Sequence, residues 1–158
     1  MRRAPRFWPA LTAPWAACRA RILDTGSAHH LCSRKDIIKS KLITEAADEA
    51  ILLATANGII TANIRAKYFD GNLGITLDPL VLDNSPEVVS IGRLTEEGDH
   101  EFIWPNWRSG QPPSLRNVVN GDRTARVCVQ DFVPYLVDQI ESAPSAAVNG
   151  DMPSAHVH

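Results

Sequence analysis

The chain has 158 residues and a formal net charge of -2, enough for one compact domain. A charge so near zero, with no Lys/Arg block, gives no electrostatic case for direct nucleic-acid binding, and the longest apolar runs fall far short of the roughly 20 residues a membrane helix needs. Cys18, Cys32 and Cys128, an odd set with no repeated spacing, read as reduced thiols in an intracellular chain and exclude a disulfide framework.

In chain order, the opening "MRRAPRFWPALTAPWAACRA" is basic and lacks acids. Pro5, Pro9 and Pro14 would break an amphipathic targeting helix there, so residues 1–18 are expected to be a disordered leader or the ragged edge of a larger polyprotein. "CRARILD" carries Ile22 and Leu23 into a Thr-Gly turn. "KLITEAADEAILLA" holds good helix formers from Thr44 to Ala50, with Thr44 as a cap, and predicts a short helix or a polar loop. "AILLATANGIITANIRAKYF" predicts two strands around Asn57-Gly58, which suits a type I′ turn because both central residues need positive φ. The second run alternates, with Ile60, Ala62 and Ile64 against Thr61, Asn63 and Arg65. "LGITLDPLVL" is a strand interrupted by Pro79, and "EVVSIG" is a short apolar strand ending in glycine. "HEFIW" and "ARVCVQDF" follow, the latter with Ala125, Val127 and Val129 on one face, and Asn120-Gly121-Asp122 is a hairpin turn between them. The Ala/Ser/Pro-rich residues 138–158 bury too little to fold and are expected to be a disordered tail, with His156 and His158 as solvated tail residues. Several short strands separated by turn signals predict an all-β domain over residues 19–137, a small closed β-barrel or sandwich.

The chemistry concentrates in "RILDTGSAHHLC". An aspartate can work on a peptide bond if it shares a proton with a second carboxylate, since two carboxyls about 3 Å apart cannot both ionise. The ionised one takes a proton from an intervening water, and the neutral one donates to the carbonyl oxygen. Such a site needs Asp24 on a tight turn. Gly26 lets two turns approach closely, Thr25 offers a hydroxyl to a matching turn, and Ser27 can bond the outer oxygen of Asp24. A bare Asp-Thr-Gly arises by chance in about 3% of chains this long, and two preceding aliphatics plus a following small residue lower that to under about 1%. The bland reading is a strand-end turn with Asp as a local cap. A phosphate loop of the actin-like and sugar-kinase ATPases also uses Asp-x-Gly-Ser/Thr, but it needs two large lobes and the chain is too short for them.

"ILDTGSAHHLCSRKDI" resembles the active-site segment of retroviral-type aspartic proteases, in particular the copia-type retrotransposon protease, with His30 six places after Asp24. "LDNSPEVVSIGRLTEEG" is similar to the copia-type segment leading out of the flap, and Ile91-Gly92-Arg93 corresponds to the apolar-Gly-Arg element that completes the loop under the catalytic Asp. "ATANGII" stands where the flap would be. The resemblance spans roughly Ile22 to Leu136. It implies a retropepsin-like barrel and a homodimeric aspartic endopeptidase. Asp24 is catalytic. Thr25, Gly26, Ser27, Ile91, Gly92 and Arg93 support the active-site loop. Thr55, Ala56, Asn57, Gly58, Ile59 and Ile60 form the substrate-binding flap, and Ile60 and Ile91 line apolar pockets. His30 has a structural role at the base of the site. The implied substrate is an extended polypeptide, the Gag-Pol polyprotein of the element, processed without cofactor or metal in the cytoplasm within a virus-like particle. No clear helix of the retroviral type is expected after Leu94. The alternative is a decayed or repurposed protease-fold domain that only dimerises or binds peptide.

Among the remaining residues, His29, His30 and Cys32 lie close together with Asp36 as a fourth candidate ligand, but packing and surface roles account for them better than zinc. Trp104, Pro105 and Trp107 read as a turn packed on the core, and Glu96, Glu97 and Asp99 as a solvated turn.

Overall fold

A computed structural model describes residues 19–119 and 124–138. The expected leader, the Asn120-Gly121-Asp122 turn and the tail from residue 139 onward lie outside them. Asp138, assigned from sequence to the tail, belongs to the fold: its N–H donates to the Arg19 carbonyl (3.1 Å) and its carboxylate meets Arg21.

The chain is mostly β. Its elements run β1 (Ala20–Asp24), β2 (Leu31–Ser33), α1 (Arg34–Ser40), β3 (Ile43–Thr55), β4 (Gly58–Asp70), β5 (Ile75–Leu77), β6 (Leu80–Leu82), β7 (Val88–Ser90), α2 (Ile91–Glu96), β8 (His100–Ile103), β9 (Ser114–Asn117), β10 (Thr124–Ala125), β11 (Val127–Gln130) and β12 (Val133–Val137). The larger sheet has the order β11-β12-β1-β7-β2-β6-β4-β3, with β5 also on β4, and the smaller has the order β10-β9-β8. The expected closed barrel is not formed among the described residues, because β11 and β3 end the path without pairing. The physical reason lies in β3, whose outer edge is solvated and carries Asp48 and Glu49, a charged edge that discourages further pairing.

The two sheets share one core. Leu23, Leu77, Val89 and Leu136 of the large sheet meet Ile91 and Leu94 of α2 and Leu115 and Ala125 of the small sheet. Each fully buried leucine of this set contributes about 1.5–3 kcal/mol by leaving water. Beside this core sits a buried polar hub. Arg21 on β1 lies against Asp70, at the end of β4, and donates to Asp138 (2.9 Å). Asp70 also accepts the N–H groups of Asn72 and Leu73. Removing one partner of so buried a pair costs about 3–5 kcal/mol, so the hub fixes the start of β1 against the turn that follows β4.

Three local expectations are corrected. The segment Thr44–Ala50 is neither helix nor polar loop; it is part of β3. The ladder with β4 shifts between Ala46 and Ile51, so Ala47, Asp48, Glu49 and Ala50 stand opposite Asn63 alone. Most of the helix formers fall in this irregularity, and pairing of the flanking residues with the long strand β4 overrides their propensity. "ARVCVQDF" divides at Arg126: Ala125 is buried in the small sheet, whereas Val127 and Val129 are half-buried in the large one. Two helices appear that sequence reading did not place. α1 is started by a reciprocal capping box between Ser33 and Asp36. α2 begins at Ile91, where a strand end was expected, because the Ser90 hydroxyl accepts the Arg93 N–H (3.2 Å).

Candidate active site

Asp24 is the last residue of β1, and β1 pairs in parallel with β7 in the register Ile22↔Val88, Leu23↔Val89 and Asp24↔Ser90. β7 also pairs antiparallel with β2 at Leu31↔Val88. A strand from far along the chain is therefore threaded between β1 and β2, and residues 25–30 must arch over its end. This threading brings Thr25, Gly26 and Ser27 beside Gly92 and Arg93.

Hydrogen bonds fix the arch. The Gly26 N–H donates to Asp24 Oδ1 (2.7 Å). A Cβ at Gly26 would stand 3.3 Å from that oxygen, so the turn has little room for any side chain there. The Ser90 hydroxyl donates to the Ser27 carbonyl (2.6 Å) while capping α2. The Ser90 N–H, in turn, donates to His30 Nδ1 (3.0 Å). His30 is buried, and burial, with Arg93 nearby, lowers its pKa to about 4. Its Nδ1 is therefore a neutral acceptor at neutral pH, holding the Ser90 N–H. His29 is lowered in the same direction by burial, Arg93 and Arg65. Arg93 itself is held by Glu97, at 2.8 Å from one guanidinium nitrogen, and by Asp78 at 3.6 Å.

Some expected contacts are not made. The Ser27 hydroxyl turns to the His29 carbonyl (2.5 Å) instead of Asp24, because the arch leaves that carbonyl within reach. Ile91 does not line a pocket; it is buried in the shared core, since the first turn of α2 points it inward. His29, His30 and Cys32 do not converge on a common point. Cys32 is wholly buried in an apolar cluster that pushes its thiol pKa up to about 12, and His30 Nδ1 is already engaged. Trp104 is half exposed and meets Phe102 edge-on at 6.2 Å. Glu96, Glu97 and Asp99 are exposed as expected.

Thr25, Gly26, Ser27, Ala28, Gly92 and Arg93, with Ser90, Glu96 and Glu97, line an open hollow of about 340 Å³. Asp24, half-buried, precedes this arch in the chain and is not among the lining residues. The Thr25 hydroxyl is exposed and makes no hydrogen bond among the described residues. A second hollow, about 250 Å³, lies at the irregularity of β3 between Ala47, Asp48, Glu49, Ile51 and Arg65 and is not lined by any part of the Asp24 arch.

The expected flap is a projecting hairpin of β3 and β4. Its turn is not type I′ over Asn57-Gly58. Ala56 and Asn57 are the central residues, with Thr55 paired to Gly58, and positive φ falls on Gly58 alone (115°). The Thr55 hydroxyl stabilises it by donating to the Gly58 carbonyl (2.8 Å) and accepting from the Asn57 N–H (3.3 Å). Pairing puts Leu53 and Ile60 on one face, continuous with buried Ala62, Leu80 and Leu82, and Ala54 and Ile59 on the other. The six flap residues are exposed, and none of them enters the hollow beside Asp24.

Sequence reading missed Ser90, which ties the arch to α2, and Asp78, which links Arg93 to Arg65. Ser90 carried a readable signal, a serine between an apolar strand and helix formers; Asp78 carried none. No family model, curated protein or solved structure matches the chain.

Proposed function

We propose that this chain is one half of a homodimeric aspartic endopeptidase of the retroviral, copia-like kind. The observation that carries the reading is the parallel β1–β7 pairing, which sets the Asp24-Thr25-Gly26 turn beside Ser90 and the Ile91-Gly92-Arg93 element. The chain holds a single Asp-Thr-Gly, so the second carboxylate comes from a second copy, on a two-fold axis between the two Asp24 side chains. The open hollow and the unbonded Thr25 hydroxyl fit a half-site whose other wall is the partner. Each Asp24 turn then offers Thr25 to its counterpart, and Gly26 permits the approach.

In the dimer the dyad holds one proton. The ionised Asp24 takes a proton from the attacking water as its oxygen bonds to the peptide carbonyl carbon. The protonated one gives its proton to the carbonyl oxygen. Collapse of the tetrahedral diol breaks the C–N bond: the amine leaves with the proton that the dyad took from water, and one diol hydroxyl returns its proton to the dyad as the carbonyl re-forms. The substrate lies extended under the hairpins, where backbone bonding supplies much of its affinity. The element's own polyprotein is the substrate that the resemblance implies. The test is incubation of purified protein with a peptide pool between about pH 4 and 7, with and without pepstatin. Pepstatin-sensitive cleavage is the expected result. A pure dimer that cleaves no peptide at any of these pH values removes the enzyme and leaves the alternative, a repurposed fold that dimerises or binds peptide.

A further inference from the structure

Phe132 is the most exposed large apolar side chain among the described residues, at 93%. It stands in the two-residue turn that joins β11 to β12, closed by the Gln130↔Val133 pair. Asp131 and Phe132 both have positive φ, 50° and 65°, the type I′ geometry that Asn-Gly ordinarily fills. A bulky aromatic is disfavoured at positive φ, and a phenyl ring gains nothing in water. The position thus breaks two local rules at once, which points to a compensating contact outside this copy.

Register locates that contact. β12 runs antiparallel to β1 with Ala20↔Val137, Arg21↔Leu136 and Ile22↔Tyr135. Two further steps along the ladder bring Val133 level with Asp24, so the turn protrudes at the Asp24 end of the large sheet. Arg19 and Asp138, where residues 1–18 and 139–158 join the described fold, are hydrogen-bonded at the opposite end, about 17 Å away along five strand residues. The surface around Asp24 offers small exposed residues, Thr25, Gly26, Ala28 and Gly92, on which a ring can lie, beside the charged Arg93, Glu96 and Glu97 of the same hollow.

We propose that Phe132 anchors the contact between two copies of this chain, at the rim of the site that their Asp24 residues share. The inference rests on the homodimeric reading above. It is tested with Phe132→Gly and Phe132→Asn, residues at home at positive φ. Urea unfolding at a concentration below the dimer dissociation constant should show each variant monomer more stable than the natural one. Sedimentation equilibrium should show the dimer dissociation constant raised about tenfold or more, as for loss of an aromatic anchor. Opposite signs in the two measurements separate a partner contact from a merely strained turn. A dissociation constant unchanged in both variants, or a natural chain that sediments as a monomer at every concentration, overturns the inference. A dimer that is weakened by the substitutions yet cleaves no peptide keeps the inference and removes the protease. A dimer that cleaves peptides and ignores the substitutions does the reverse.

Discussion

Asp24 and His30 bracket one arch, and they carry different duties. Asp24→Asn keeps an oxygen to accept the Gly26 N–H, so the turn should hold, but an amide cannot share a proton. Peptide turnover should fall by about 10²–10⁴-fold or more, with circular dichroism and sedimentation unchanged; undiminished turnover would remove Asp24 from the mechanism. His30 acts on stability. Its folded pKa, about 4, lies below the ordinary 6.5 because burial disfavours the imidazolium. The unfolded chain therefore binds the extra proton between those values. Stability is full above about pH 6.5 and falls as the pH drops toward 4, by on the order of 3 kcal/mol. Protonation would also remove the acceptor for the Ser90 N–H, next to Asp24. His30→Asn places an amide oxygen near the Nδ1 position and does not titrate. Its unfolding midpoint should be flatter across this pH window than that of the natural chain. An equally steep dependence in the variant would assign the effect elsewhere.

At the scale of elements, what was legible followed from alternation. Of the expected alternation in β4, Ala62 is buried and Ile64 half-buried while Thr61 and Asn63 are exposed, but Ile60 is exposed and Arg65 half-buried. The strand at Pro79 breaks between β5 and β6 for the reason proline dictates. What was not legible depended on distant partners. Thr44–Ala50 reads as a short helix or polar loop, and only the pairing of Ile43–Ala46 and Ile51–Thr55 with β4 carries it into a strand. The insertion of β7 between β1 and β2 leaves no local trace, yet it builds the candidate site. The hairpin was legible, but its turn was misassigned by one residue, because Asn57-Gly58 serves equally as a turn centre or as its exit. That difference is testable at Gly58, which has a φ of 115° and open space around its missing side chain. Gly58→Ala should therefore cost about 1–2 kcal/mol through backbone strain alone. In the endopeptidase reading it should also raise KM more than it lowers kcat, since the hairpin covers substrate and does no chemistry. An unchanged unfolding free energy would mean that the hairpin tip relaxes freely.

For the whole molecule, the homodimeric reading requires a second copy because the chain holds a single Asp-Thr-Gly. The described fold has one shared core, a buried Arg21–Asp70–Asp138 hub and no helix long and apolar enough to cross a membrane among the described residues. Its hollow at the Thr25–Ala28 arch is open, and in the homodimeric reading the second carboxylate comes from the partner copy. Activity should therefore be a property of pairs. Below the dissociation constant of the dimer, specific activity should fall in proportion to protein concentration. Subunit mixing makes the argument sharper, because it holds total protein in the dimeric range. If natural chains exchange with a threefold excess of Asp24→Asn chains, only about a quarter of the natural chains find a natural partner. Each mixed dimer has one carboxylate and one amide and cannot hold the shared proton. Activity per natural chain should drop to about a quarter after exchange, while sedimentation stays dimeric. A chain that carries its whole site would keep full activity at every mixing ratio, and that outcome would end the two-fold account of Asp24.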